Sequence, residues 1–181
     1  MYKLLVVLLM LLANFSYSLS KKYFQDIRWK NGTAGVKKLE QKSVLIKKTD
    51  SGKKTATFHM EFQKKAFGFT THAKYTFSRK LKQLKYISAF YYKNKIEYKE
   101  EKASRKIHAL IYKKLTSLLG KPLKRPFKER QYKGMWHVIK SVWVYRRSII
   151  YLEFSKYLTS KEFIIEIILV PYHRSKVEQY R

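Results

Sequence analysis

The sequence predicts a single α+β domain in which one long helix packs against an antiparallel sheet. The chain has 181 residues, a length typical of one domain, and 45% of them are apolar, which is enough to form a core. Apolar and polar residues alternate before residue 96 and after residue 135, a pattern typical of half-buried strands. Between these regions apolar residues recur every three or four positions, as on a helix. We therefore expect about three strands, one long helix and about three more strands.

Each strand expectation depends on a short alternating or apolar segment bounded by turn residues. The segments are 44–46, 57–63, 72–78, 84–92, 136–145, 148–155 and 163–170. The last of them is nearly all apolar, which favours a central strand covered on both faces, and Pro171 is expected to end it.

The helix is the best-defined element in the sequence. Its apolar stripe consists of Ala103, Ile107, Leu110, Ile111, Leu115, Leu118 and Leu119. Gly120 directly after the last apolar residue and Pro122 two positions later predict where the helix stops.

The N-terminus has the three parts of a secretory signal. Lys3 supplies a positive charge, an apolar run of about ten to twelve residues follows, and small residues end it at Ser16, Ser18 and Ser20. This run is shorter than the roughly twenty residues that span a bilayer, and no later segment is long and apolar enough to do so. We expect residues 1–18 to be removed, or residues 1–20, and the protein to be periplasmic or secreted.

The expected mature chain has three parts. Residues 19–43 are a mixed lead-in segment, residues 44–172 form the basic α+β domain, and residues 173–181 form a polar tail.

The charge balance is the most unusual property of the composition. Lysine and arginine number 41 against 12 acidic residues, which gives a net charge of +29. Such a charge attracts anionic lipid, glycan, nucleic acid or an acidic protein. Lysines outnumber arginines by 32 to 9, which argues against sequence-specific reading of nucleic acid, because arginine is the better bidentate ligand. A general bias toward lysine is the alternative explanation.

Several classes of site are excluded or have no signature. The absence of cysteine excludes disulfides, thiolate nucleophiles and cysteine metal sites. The sequence contains no G-x-S-x-G, Walker or dinucleotide motif, and its five histidines lack metal-ligand spacing. We therefore expect no cofactor and no metal.

Four residues remain as candidates for acid–base chemistry. Glu153 and Glu166 alternate with apolar residues on neighbouring expected strands, and His59 and His72 become neighbours if their strands pair suitably. Solvation, or neutralisation by a lysine such as Lys140, explains the two carboxylates more simply.

A basic connector between helix and strands is the candidate anion-binding site. Its cations are Lys121, Lys124, Arg125, Lys128, Arg130 and Lys133. Phe127, Tyr132 and Trp136 lie among them, and aromatic rings beside cations stack on bases or lie at the headgroup level of a membrane. The alternative is a solvated loop with incidental aromatic residues.

Three functions are consistent with these observations. The first is an exported, non-catalytic domain that binds an anionic surface or acidic partner. The second is a structural or assembly module that packs on another envelope protein. The third, with the least support, is a small exported hydrolase that uses Glu153, Glu166, His59 or His72.

Overall fold

The structure is a computed structural model that describes residues 21–41, 43–49, 57–66, 69–93, 98–127, 135–157 and 163–180. The expected signal peptide lies outside these residues. The described helices are α1 (Lys21–Asp26), α2 (Thr33–Leu39), α3 (Tyr98–Leu119) and α4 (Arg174–Glu178). The described strands are β1 (Val44–Thr49), β2 (Thr57–Ala66), β3 (Phe69–Ser78), β4 (Leu84–Lys93), β5 (Lys124–Phe127), β6 (Met135–Tyr145), β7 (Ser148–Tyr157) and β8 (Phe163–Pro171).

The strands form one antiparallel sheet in the order β1-β2-β3-β4-β8-β7-β6-β5. Each half of the chain therefore contributes a helical segment followed by a four-stranded meander. The last strands of the two halves pair antiparallel, with Ile87 opposite Leu169 and Lys93 opposite Phe163. A two-fold axis perpendicular to the sheet relates the order and direction of β1 to β4 to those of β5 to β8. The architecture thus repeats once, although no repeat is visible in the sequence.

The main core lies between one face of the sheet and the helices. Ile111 and Leu115 of α3 are fully buried there with Leu152 and Ile167 of the sheet. Phe24 of α1, Ile27 directly after it and Val36 of α2 join the same core. Each large apolar side chain that is fully buried stabilises the fold by roughly 1.5–3 kcal/mol. The lead-in segment is therefore part of the packed domain.

A smaller apolar cluster lies on the opposite face of the sheet. Val142, Ile149 and Tyr151 pack there with Val177, which is 3% exposed. Val177 belongs to α4, within the stretch expected to be a polar tail. That stretch is polar at its exposed positions, but one turn of helix places an apolar side chain against the sheet.

The fold is α+β, and it is richer in sheet than the sequence predicted. In the described part of the chain eight strands occur, where the sequence offered seven candidate segments and predicted about six strands. Four helices occur there instead of one long helix. The unexpected strand β5 has no alternation and contains a proline. It forms at the edge of the sheet, where Lys124 lies opposite Val142 and the amide of Leu123 donates to the carbonyl of Val142. No helix within the described ranges is long and apolar enough to cross a membrane.

Candidate anion-binding surface

Few of the acidic side chains that the structure describes are exposed, whereas most of the described basic side chains are. Of the seven carboxylates whose exposure the structure describes, only Asp26 and Glu178 are exposed, and Glu178 pairs with Arg174 at 2.9 Å. In the same part of the chain eighteen cations are exposed: Arg28, Lys30, Lys37, Lys38, Lys80, Lys82, Lys85, Lys102, Arg105, Lys106, Lys113, Lys114, Lys121, Lys124, Arg146, Arg147, Arg174 and Lys176. The described outer surface is therefore positive almost throughout.

Glu40 is the most deeply buried of the seven carboxylates whose exposure is described. It follows α2 and accepts hydrogen bonds from Lys64 Nζ at 2.5 Å, from the hydroxyl of Ser43 at 2.5 Å and from the hydroxyl of Tyr75. Lys64 and Glu40 side chains are each 3% exposed. The carboxylate is thus paired with a cation and accepts three hydrogen bonds inside the core, away from the exposed surface.

Glu153 and Glu166 lie directly opposite each other on β7 and β8, on the face of the sheet away from α3. Lys140 Nζ lies 3.2 Å from Glu153 Oε1, and the hydroxyl of Ser88 donates to Glu166. Lys140 also lies 5.0 Å from the ring centre of Tyr151, whose pKa burial raises to about 12. The predicted adjacency and the predicted neutralising lysine are both present, and each carboxylate has a partner within hydrogen-bonding distance.

The two histidine candidates are not brought together. His59 lies opposite Thr76, and its ring nitrogen Nδ1 is 3.0 Å from the Thr76 hydroxyl. Burial, followed by the charge of Lys74, lowers the pKa of His59. His72 lies four residues farther along the paired strands, 3.5 Å from Glu61. Among the described residues no group of three or more histidine, aspartate or glutamate side chains is arranged to hold a metal ion.

Three turns meet at one end of the sheet and bring exposed cations together. The first is at residues 28–31, the second at residues 79–82 and the third at residues 146–147. Ile87 and Ile150 both lie opposite Leu169, so the turns that precede β4 and β7 leave the sheet at the same end. We name this surface the turn end. It is formed by six exposed cations: Arg28, Lys30, Lys80, Lys82, Arg146 and Arg147.

The indole of Trp29 connects the first of these turns to the third by hydrogen bonds. Its indole nitrogen donates to the carbonyl of Arg147 at 2.9 Å and lies 3.2 Å from the hydroxyl of Ser148. The second turn is attached through Asn31, whose carbonyl accepts the amide of Leu84 at 3.1 Å. The Trp29 contacts join residues 118 and 119 positions apart, so the fold holds the positive charges of these turns together.

Two turn-end cations occupy backbone conformations that favour other residue types. Lys82 has φ of 51° and Arg146 has φ of 53°. A side chain with a Cβ in this left-handed region costs roughly 1–2 kcal/mol, which is why glycine and asparagine are preferred there. Strained residues persist when other interactions compensate, and they concentrate at functional sites. Both positions carry long cations in place of the residues that this backbone conformation favours.

The predicted connector site is only partly within the described structure. Lys121 and Lys124 are exposed, and the pairing of Lys124 with Val142 places them toward the same end of the sheet as the turn end. Arg125 belongs to β5, but its side chain lies outside the described part. Lys128, Arg130 and Lys133 lie outside the described residues altogether.

Sequence reasoning missed the turn end as a site. The doublets at 79–80 and 146–147 are visible in the sequence, and the second reads as a tight turn. Their proximity follows from the strand order, which periodicity does not determine.

A second basic surface lies on the outer side of α3. Lys102, Lys106, Lys113 and Lys114 are exposed there along about 18 Å of helix. They are spaced along a single helix. This helix face is therefore a natural comparison for the turn end.

Comparison of the chain with protein-family models, curated proteins and solved structures finds no match.

Proposed function

We propose that this chain is an exported, non-catalytic basic domain that binds an anionic surface through the turn end. The observation that carries the proposal is the convergence of three cation-bearing turns around Trp29. The small number of exposed carboxylates among the described residues supports it as well, because few negative charges lie outside to neutralise this surface.

The physical argument concerns both charge and rigidity. A lysine or arginine close to an anionic membrane surface contributes about 1 kcal/mol of attraction, and salt screens this term over a Debye length of about 8 Å. Six cations held by backbone and indole hydrogen bonds lose less conformational freedom on binding than six on a mobile loop. The turn end is thus better suited to such a surface than an equal number of scattered lysines.

The hydrolase alternative has less support. Glu153 is paired with Lys140, Glu166 accepts from Ser88, and the two candidate histidines lie apart on β2 and β3. A general base and a general acid would have to be assembled from groups that already have other partners.

The test compares two variants that lose the same charge. One carries Lys80→Gln, Lys82→Asn, Arg146→Asn and Arg147→Gln, in which asparagine suits the positive φ. The matched control carries Lys102→Gln, Lys106→Gln, Lys113→Gln and Lys114→Gln on the helix face. Binding to anionic vesicles, heparin and duplex DNA is measured across a salt series.

The turn-end variant should bind anionic vesicles at least about 100-fold more weakly than the unmodified chain, and the control less than about ten-fold more weakly. Equal losses in both variants would show that net charge alone governs binding. The same result would arise from a lysine-biased composition and would remove the turn end as a site.

An assembly role is the second candidate, and one observation favours it. β1 is the outermost strand on its side of the described sheet, and Val44, Leu45 and Ile46 are 66%, 44% and 48% exposed. An edge strand with consecutive exposed apolar residues is a template for pairing with another strand. A partner protein that adds a strand to β1 would bury these side chains.

A further inference from the structure

One apolar side chain projects from the turn end. Leu81 is 63% exposed, and both residues that flank it, Lys80 and Lys82, are exposed cations. Tyr172 is 43% exposed at the same end, where its amide donates to the carbonyl of Arg147 at 2.9 Å. The basic surface therefore has a leucine at the tip of one turn and a tyrosine beside another.

The turn that carries Leu81 is held in place. The amide of Leu81 donates to the hydroxyl of Ser78 at 3.3 Å, and the amide of Ser78 donates to the carbonyl of Gln83 at 2.8 Å. The turn is also fastened to Asn31 through Leu84. Leu81 is thus presented by a defined backbone, and this removes much of the ordering cost of using it as a contact.

An exposed leucine between lysines distinguishes among anionic partners. Nucleic acids and acidic glycans attract the lysines but offer an aliphatic tip no apolar volume. An acidic bilayer offers both, since phosphates and carboxylates lie at the headgroup level and acyl chains begin a few ångströms below. Lysine stems accompany an apolar neighbour into this boundary while their ammonium groups stay with the headgroups. Tyrosine is enriched at the same depth.

We propose that the turn end docks onto a bilayer that contains acidic phospholipids, with Leu81 inserted among the upper acyl carbons. The inference rests on the proposed function and names its partner class. Lys80 and Lys82 then contact headgroup phosphates on either side of the inserted leucine, and Tyr172 lies at the interface.

The absence of cysteine makes a direct test simple. Leu81→Cys carries a polarity-sensitive fluorophore, and Leu110→Cys is the matched control, because Leu110 is a leucine 41% exposed among the lysines of the helix face. Both proteins keep the same N-terminus, so any contribution from residues 1–20 is common to them. The probes are vesicles of phosphatidylcholine with and without phosphatidylglycerol.

With phosphatidylglycerol present, the fluorophore at position 81 should shift to the blue and be quenched by lipids labelled in the upper acyl region. The fluorophore at position 110 should do neither. If the protein binds vesicles but the fluorescence at position 81 does not change, Leu81 does not insert. Equal fluorescence changes at positions 81 and 110 would lead to the same conclusion. Either result would leave the proposed anion binding intact.

A variant without a fluorophore distinguishes insertion into a bilayer from the more general proposal of anion binding. Leu81→Ala should weaken binding to acidic vesicles about ten-fold and leave heparin affinity unchanged, since it removes apolar area and no charge. Unchanged affinity for vesicles would contradict the bilayer proposal. If the unmodified chain bound neither vesicles nor heparin, the proposed function itself would fail.

Discussion

Lys64 Nζ lies 2.5 Å from Glu40 Oε1, with both side chains buried beneath the helices of the N-terminal half. This pair connects the end of α2 to β2, and the hydroxyl of Tyr75 connects it further to β3. The lead-in helices are therefore attached to the sheet by charge as well as by apolar packing.

Glu40→Gln should lower the free energy of unfolding by about 3–5 kcal/mol. The amide keeps the shape of the carboxylate but removes the negative charge with which the buried Lys64 cation is paired. Urea denaturation measures the effect. Lys38→Gln, at an exposed position on α2, is the control and should change stability by less than about 0.5 kcal/mol. A loss no larger than that of the control would mean that Lys64 finds solvent in the folded state.

Trp29→Phe should weaken both the fold and the binding of acidic vesicles. The change removes an indole donor to Arg147 and Ser148, which costs about 1 kcal/mol of stability, and releases the third turn from the first. Trp143→Phe also removes an indole hydrogen bond, to the carbonyl of Gly120, but outside the turn end. Vesicle titration should therefore show a loss for Trp29→Phe that Trp143→Phe does not share. Equal affinities would show that the cations act without this fastening.

His108 should make the fold less stable in mild acid. Burial, with a smaller contribution from Arg105, lowers the pKa of His108 to about 4 from its usual 6.5. As the pH falls from 6.5 toward 4, the unfolded chain takes up a proton that the folded chain does not. This difference removes up to about 3 kcal/mol of stability, all of it present above pH 6.5.

The measurement is urea denaturation at several pH values for the unmodified chain and for His108→Leu. The variant should lack this part of the acid loss, so the two stability curves should diverge below pH 6.5 in favour of the variant. His173→Leu, at an exposed position, serves as the control and should follow the unmodified chain. Parallel curves for His108→Leu would mean that the histidine is accessible to protons when folded.

Ile46→Lys tests the assembly alternative. If β1 pairs with another strand, a cation in the middle of its exposed apolar run should weaken a stoichiometric complex that survives raised salt. Sedimentation velocity measures self-association, and chemical crosslinking detects a different partner. Leu110→Lys makes the same kind of change on the helix face. If both variants behave like the unmodified chain, β1 is not an interface.

The parts of the fold that depend on local pattern were predictable from the sequence. The helix stop at Gly120 is confirmed, because φ of 88° there and the bond from its amide to the carbonyl of Thr116 form a glycine cap. The alternation of β8, buried at every second position, also agrees with a strand between two others, although only one face is fully covered.

Features that depend on long-range contacts were not predictable. β5 contains Pro126 and little apolar surface, and it is a strand only because β6 offers it an edge. Of the candidate acid–base residues, Glu153 and Glu166 could be expected side by side, because the sequence pattern indicated both of their strands correctly. His59 and His72 were not, because their separation depends on the register between β2 and β3.

β8, the last strand that the structure describes, lies in the middle of the sheet between β4 and β7. This order determines when the sheet can be completed. A chain that emerges from a ribosome or a translocation channel with its N-terminus first displays β1 to β4 and then β5 to β7 as two separate groups. They can be joined only when residues 163–171 arrive to fill the gap between Ile87 and Ile150. Closure between such distant segments is slow. Completion of this sheet is thereby deferred until residue 171 has been delivered.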